Sequence, residues 1–316
     1  MTITMHAARY DHYGPPSVLG LHTVAVPEPP AGHLRVRVHA TSVNAVDLML
    51  RAGGGRPLSG NRFPRGVGLD FVGEVDAVGE GDSDWRPKDR VWGGIPDYFR
   101  GAGTAAEYVV VPVNHVARAP RTLDPVSAAA LPTGGVTALI ALHDHARLRA
   151  GQTVLVRGAA GGFGHVCVQL AHAMGARVTA LAGAGRLAAV RDLGAAEALD
   201  YRRTSPKDLP LFDVVVDAVG TELAAYRRLG RRTVTIAFGS PRALAAVAAS
   251  TAHGSRRIRT FSGKLLTPTL QRLTAHVEAG DLRPSVAAVH PLTEAAEAHR
   301  SAEAGGSLGK HVIRIS

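Results

Sequence analysis

One cysteine, Cys167, stands in a chain of 316 residues, so neither an internal disulfide nor a multi-cysteine zinc site can form. Secreted disulfide scaffolds and zinc fingers are excluded, and a reducing compartment fits. No stretch of about 18 apolar residues escapes a charge or a helix breaker, which predicts no membrane span. The opening segment from Met1 to Gly14 carries His6, Arg9, Asp11 and His12 and lacks an apolar h-region. No signal peptide is expected, and the expected location is cytoplasmic. Lysine is scarce as well: 4 lysines stand beside 32 arginines, in a Gly- and Ala-rich chain of net charge +10. That skew reads as base-composition bias. The arginine pairs (Arg202-Arg203, Arg227-Arg228, Arg231-Arg232, Arg256-Arg257) are dispersed and have no interleaved aromatics for base stacking, so a nucleic-acid partner is not expected. With 46% hydrophobic and 20% charged residues the chain is too apolar for disorder.

What is present divides into two grammars, as expected of a chain longer than the roughly 100 to 200 residues of one domain. From residue 5 to about 117 short β-like runs (Leu34 to Ala40, Val67 to Val78, Arg90 to Trp92, Glu107 to Val113) are broken by Gly and Pro, and this half reads as all-β. After Pro120, Ala/Leu-rich helical stretches alternate with fully apolar strands: Thr153 to Val156, Arg177 to Leu181, Val214 to Val216 and Val234 to Phe238. Strands without an alternating polar face are buried on both sides, so the pattern predicts a doubly wound parallel sheet and an α/β chain. The tail holds a helix over Leu266 to Ala279 closed by Gly280, a second over Glu294 to Glu303, and a strand over His311 to Ile315. The expected division is therefore 1–120, 121–263, and a return segment 264–316.

The most informative segment is the strand Thr153 to Val156 followed by Gly158-Ala159-Ala160-Gly161-Gly162-Phe163-Gly164 and a helix ending at Met174. A pyrophosphate needs backbone N–H groups at a helix N-terminus, with no side chains where it lies against the turn. Gly161 and Gly162 meet that need, flanked by Ala160 and Phe163, and Gly164 lets helix and strand approach. An acidic residue normally closes the next strand to hold a ribose 2′-hydroxyl. Here the strand runs out as Ala182-Gly183-Ala184-Gly185-Arg186, which leaves room for a 2′-phosphate with Arg186 and Tyr201 as its candidate partners. NADPH is the expected cofactor.

The order of Val43-Asn44-Ala45-Val46-Asp47, Gly68-Leu69-Asp70-Phe71-Val72-Gly73-Glu74-Val75, Lys88-Asp89-Arg90-Val91, Ala106-Glu107-Tyr108-Val109, Gly135-Val136-Thr137-Ala138-Leu139, the glycine turn, Asp213 to Gly220 and Leu308-Gly309-Lys310 resembles the zinc-free quinone oxidoreductase group of the medium-chain dehydrogenase/reductase superfamily. The resemblance implies a GroES-like β domain built from both chain ends and an inserted Rossmann domain that binds NADPH. It implies hydride transfer to a quinone or an α,β-unsaturated carbonyl by a homodimer joined at a last strand, here Arg257 to Phe261. The nicotinamide is expected between Asn44 and Asp47 on the β domain and Thr137 and Phe238-Gly239 on the Rossmann side, with Asn44 and Asp47 as catalytic candidates, Asn44 as the donor because its amide can orient a carbonyl or the nicotinamide ribose without adding charge, and Val219 and Lys310 as further cofactor contacts. The cysteine and the His-Glu pair of zinc-dependent relatives are missing near Asn44 to Asp47 and near Leu69 to Phe71, so no metal is expected. Met49 stands where several quinone reductases carry a tyrosine, and the tyrosine that enoyl-thioester reductases place near Gly55 is missing too. An enoyl-thioester reductase of lipid or polyketide synthesis is the alternative enzyme. A catalytically silent NADPH- or RNA-binding protein is the alternative of another class.

Overall fold

Four side chains of one strand, Leu34, Val36, Val38 and Ala40, are all fully buried, while residues between them carry charge or imidazole. This two-residue period makes β3 the spine of the first half. The computed structural model describes residues 2–81, 84–237, 241–252 and 257–316. It divides into two compact units, Met1–Thr133 with Lys264–Ala279 and Pro284–Ser316, and Gly134–Gly263 with Gly280–Arg283.

In the first unit the chain runs through β1 (Thr4–Tyr10), β2 (Gly20–Ala25), β3 (His33–Ser42), α1 (Ala45–Arg51), α2 (Arg56–Ser59), β4 (Arg65–Gly66), β5 (Asp70–Val78), β6 (Arg90–Gly94), β7 (Tyr108–Pro112), β8 (Val116–Arg118) and α3 (Pro125–Ala129). It is therefore not all-β. Asn44 opens α1 from an extended conformation, and its backbone N–H donates to Asp47 Oδ2 at 2.8 Å, so a helical turn interrupts the strands. The strand expected from Val67 starts only at Asp70, because Gly68 takes φ +91° and turns the chain.

The second unit starts within α4 (Pro132–Leu139) and continues through β9 (Thr153–Arg157), α5 (Gly164–Ala173), β10 (Arg177–Ala182), α6 (Leu187–Asp192), β11 (Glu197–Asp200), β12 (Phe212–Asp217), α7 (Leu223–Arg227), β13 (Gly230–Thr235), α8 (Pro241–Ser250) and β14 (Ile258–Arg259). Among the described residues its six strands are all parallel, in the order β11-β10-β9-β12-β13-β14. Counted within the unit this is 3-2-1-4-5-6, the doubly wound dinucleotide-binding order. Val154, Leu155, Val156, Val214, Val215 and Val216 are fully buried, as two covered faces require. Strand β13 begins at Gly230 and ends at Thr235, earlier than expected, and Phe238 lies outside the described residues.

The chain then forms α9 (Thr267–Glu278), β15 (Val286–Pro291), α10 (Ala295–Ala304) and β16 (Lys310–Arg314) in the first unit. There β16 pairs with β3, completing a sheet of order β15-β16-β3-β5-β6-β8 with β7 also on β3, while β2-β1-β4 form a smaller sheet. No helix of the described residues is long and apolar enough to cross a membrane.

Candidate functional site

At the carboxyl end of β9 the chain makes its glycine turn. Gly158 has φ +73°, and a Cβ on Gly164 would fall on the Gly158 carbonyl oxygen, so this turn tolerates no side chain at its close. A Cβ on Gly134 would likewise strike the Gly162 carbonyl, which shows α4, the helix of Thr137, lying against the turn. Val219 is brought there too, 3.2 Å from the Cβ position of Gly158. The first N–H groups of α5 are thus presented beside Ala160, Gly161, Gly162 and Phe163, the arrangement that receives a phosphate.

Two residues the sequence reasoning did not single out set this crest. Arg157 closes β9 and Asp217 closes β12 in register with it, and they form a buried ion pair at 2.5 Å. Arg157 also stacks 3.5 Å from the centre of the Tyr226 ring. Asp217 accepts from the Gly220 N–H at 2.9 Å and from Thr235 Oγ1 at 3.0 Å, which fixes the loop that carries Val219. Both residues end apolar strand runs, and a charge at that point was the available signal.

The end of β10 gathers Gly183, Arg186 and Tyr201. Arg186 N–H donates to the Gly183 carbonyl at 2.8 Å, and Tyr201 N–H to the Ala182 carbonyl at 3.1 Å. The Tyr201 ring lies 3.7 Å from the Cβ position of Gly183 and is 52% exposed. The guanidinium of Arg202 sits 5.5 Å from the same ring. Asp200, in register with Ala182, accepts from the Arg202 backbone N–H at 3.1 Å. Phe238 and Gly239 lie outside the described residues.

The first unit holds a buried polar cluster in which Asn44, Asp47 and Lys310 meet. Lys310 Nζ donates to the Val43 carbonyl at 2.5 Å and to Asn44 Oδ1 at 2.6 Å. Asn44 Nδ2 donates to the Ser42 carbonyl at 3.1 Å and to Asp70 Oδ2 at 3.4 Å. Asp70, fully buried, also accepts from Ser42 Oγ at 2.8 Å and from Thr133 Oγ1 at 2.5 Å. Asp47 Oδ1 accepts from the Gly68 N–H at 3.0 Å. Burial pushes the Asp47 carboxyl up to about 6, helped by the Asp70 charge and opposed by the two backbone donors and Lys310. Burial lowers the Lys310 ammonium, against the pull of Asp70 and Asp47. The Asn44 amide is therefore committed at both ends, and it works as a bracket between a cation and a carboxylate. Asp70 and Thr133 were missed as site residues because nothing local marks them; Asp70 was visible only as part of a β5 motif.

Among the described residues no three His, Cys, Asp or Glu side chains are grouped to share a metal ion. Cys167 is buried in α5, and burial drives its thiol far up.

The family model described as alcohol dehydrogenase GroES-like domain matches residues 30–121, and that described as zinc-binding dehydrogenase matches residues 193–313. The chain is 31% identical to the chloroplast envelope quinone oxidoreductase homolog of Arabidopsis thaliana, covering 98% of each protein. It is also 31% identical to the NADPH-dependent alkenal/one oxidoreductase of the same plant, covering 98% of this chain and 79% of that one. The solved quinone oxidoreductase from Coxiella burnetii superposes with a TM-score of 0.90 at 30% identity, over 99% of this chain and all of the other. The expected α/β fold, a GroES-like β domain with a doubly wound Rossmann domain, is the one found. A protein that matches quinone oxidoreductases along its whole length in both sequence and fold belongs with them, in the zinc-free quinone oxidoreductase group of the medium-chain dehydrogenase/reductase superfamily.

Proposed function

We propose that this oxidoreductase takes NADPH and transfers hydride to a quinone or an α,β-unsaturated carbonyl without zinc. The observation that carries the reading is the end of β10, where Gly183, Arg186 and Tyr201 stand together and the strand itself supplies no carboxylate. A carboxylate there would hold a ribose 2′-hydroxyl; a guanidinium beside a glycine holds a phosphate. The alkenal/one oxidoreductase relative, whose name specifies NADPH, supports the same reading. Bound NADPH supplies the hydride. A proton from water completes the reduction, so that one C=C or quinone unit gains two hydrogens and NADP⁺ leaves. Asn44 is a positioning residue: it holds the Lys310 cation and Asp70 in fixed relation, and a fixed field orients a substrate carbonyl better than a mobile one. Asp47 secures the turn that carries Asn44. In the same reading the protein is cytoplasmic and forms a homodimer, which a mass near the monomer's 32.9 kDa by light scattering would overturn.

The test is NADPH oxidation against a panel of quinones, free enones and an enoyl-CoA. Turnover of quinones or free enones is expected. Turnover confined to the enoyl-CoA would move the protein to thioester reduction, and NADPH binding without any turnover would make it a silent binder.

A further inference from the structure

On one side the large sheet of the first unit ends in β16 and then β15, and these two strands carry a side-chain group that the proposed reaction does not use. They run parallel, with Ala288 opposite His311 and His290 opposite Ile313. Side chains two apart in a strand share a face, so His290 and His311 are diagonal neighbours on one face of the pair. Their rings lie 5.7 Å apart between centroids and 34° from parallel, and His290 Nε2 stands 3.4 Å from His311 Nδ1. The other ring nitrogen of His311, Nε2, lies 3.2 Å from Ser307 Oγ, on the turn that leads into β16. Each histidine is 8% exposed, and the same turn is open to solvent at Gly305 and Gly306.

The spacing of the two facing nitrogens has a chemical meaning. N–H hydrogen bonds ordinarily run about 2.7–3.2 Å, so 3.4 Å is long for a bond from ring to ring. It is the spacing of two ligands on one tetrahedral ion, since nitrogens about 2.0–2.1 Å from zinc stand about 3.3–3.4 Å from each other. Ser307 fits the same reading. A metal-binding imidazole donates its other N–H to a neighbouring oxygen, which fixes the tautomer; with Nε2–H given to Ser307 Oγ, His311 Nδ1 keeps its lone pair for an ion. The nearby cation does not oppose this. Lys310 precedes His311 in β16, so its side chain leaves from the other face, where Asp47 and Asp70 meet its charge. Imidazoles without a carboxylate suit Zn(II) and Co(II) and not Mg(II) or Ca(II).

We propose that His290 Nε2 and His311 Nδ1 bind a divalent transition-type cation, Zn(II) or one of like chemistry, with Ser307 orienting His311 and water completing the coordination. Among the described residues no third His, Cys, Asp or Glu side chain joins them, so the ion is exchangeable, unlike a structural zinc with four protein ligands. It clips β15 to β16, the strand that delivers Lys310 to Asn44, and it takes no part in hydride transfer.

Calorimetric titration of the whole chain with Zn(II), and with Mg(II) as the control, measures the binding. The tightest zinc site is expected to be at least about tenfold weaker in His290→Gln and in His311→Gln, and about tenfold weaker in Ser307→Ala, a half-buried hydroxyl. It is expected to be unchanged in His12→Gln, an exposed histidine of the same unit. Co(II) added to the unaltered protein reads the geometry without any variant: the intense visible absorption of four-coordinate Co(II) should appear and be displaced by Zn(II). Zinc binding no tighter than that of magnesium, or undiminished in any of the three site variants, overturns the proposal. So does a Co(II) spectrum of the weak six-coordinate kind, which would leave the two rings sharing a long hydrogen bond and nothing more.

Discussion

Lys310→Met tests whether the buried cluster of the first unit is a coupled ionic device or a set of independent hydrogen bonds. Methionine keeps the length of the side chain and removes the charge. The substitution deletes the donors to Val43 and Asn44 and leaves Asp47 and Asp70 buried without their cation. Breaking one partner out of a buried ionic group costs about 3–5 kcal/mol, because the remaining charge stays desolvated. Asp47, already held near 6 by burial, must then rise further, and part of the cost is relieved by its protonation. A loss of about 3–5 kcal/mol at pH 7.5, shrinking toward pH 5, is the expected outcome. Urea unfolding read by tryptophan fluorescence measures it in the right place, since Trp85 and Trp92 both belong to the first unit. Asp70→Asn in a double-mutant cycle should return a coupling of about 1–3 kcal/mol. A loss below about 1 kcal/mol, or strict additivity with Asp70→Asn, would refute the coupled reading.

Arg186→Ala should raise KM for NADPH about 10-fold to 100-fold, the loss of one charge-assisted hydrogen bond, and leave NADH kinetics nearly unchanged; equal losses for both cofactors would count against the 2′-phosphate assignment. Gly164→Ala puts a methyl group onto the Gly158 carbonyl, so NADPH binding by fluorescence should be lost and stability should fall by about 1–3 kcal/mol. Burial, with Arg51 beside it, lowers His299 from 6.5 to about 3, so protonation favours the unfolded chain. The stability that neutral His299 contributes is present above pH 6.5 and is lost as pH falls toward 3, at about 1.4 kcal/mol per pH unit. Comparing unfolding of the wild type and His299→Asn from pH 7 to 4 checks this, and parallel profiles would exclude it.

The fold class was legible because its signals are local: period-two burial along β3, and apolar runs such as Val214 to Val216 that have no polar face. The glycine turn was legible for the same reason, since all its parts fall within seven residues, Gly158 to Gly164. The strand over Gly230 to Thr235 was misplaced because Arg231 and Arg232 break its apolar pattern. Arg232 is accommodated because it reaches the Ala146 and Arg147 carbonyls, 86 and 85 residues earlier, which no window contains. Helix α1 was hidden in a half that reads as β, although Asn44 and Asp47 already had capping spacing. The polar cluster was only half legible. Asn44 and Asp47 were candidates from their motif, but Asp70 meets Thr133 across 63 residues and Lys310 meets Asn44 across 266. Such pairs arise only when both chain ends enter one sheet.

Arg157, Asp217, Lys310 and Asp70 each stand at the end of a strand, and this placement has a physical reason. A strand's interior offers its backbone groups to neighbouring strands, so a charged side chain there would face apolar neighbours with nothing to accept its protons. At a strand end the chain turns, and backbone carbonyls and N–H groups become available to complete a charge's shell. Arg157 uses the Thr221 carbonyl and Asp217 uses the Gly220 N–H. Lys310 uses the Val43 carbonyl, and Asp70 the Ser42 N–H at 3.0 Å. Each group is thereby bonded to the very loop it shapes, so desolvation is offset by bonds that also fix backbone. A hydrophobic pair of equal volume would match the packing but could not hold the Val219 loop or the Asn44 turn. The charges are retained where geometry, rather than stability, is what they supply.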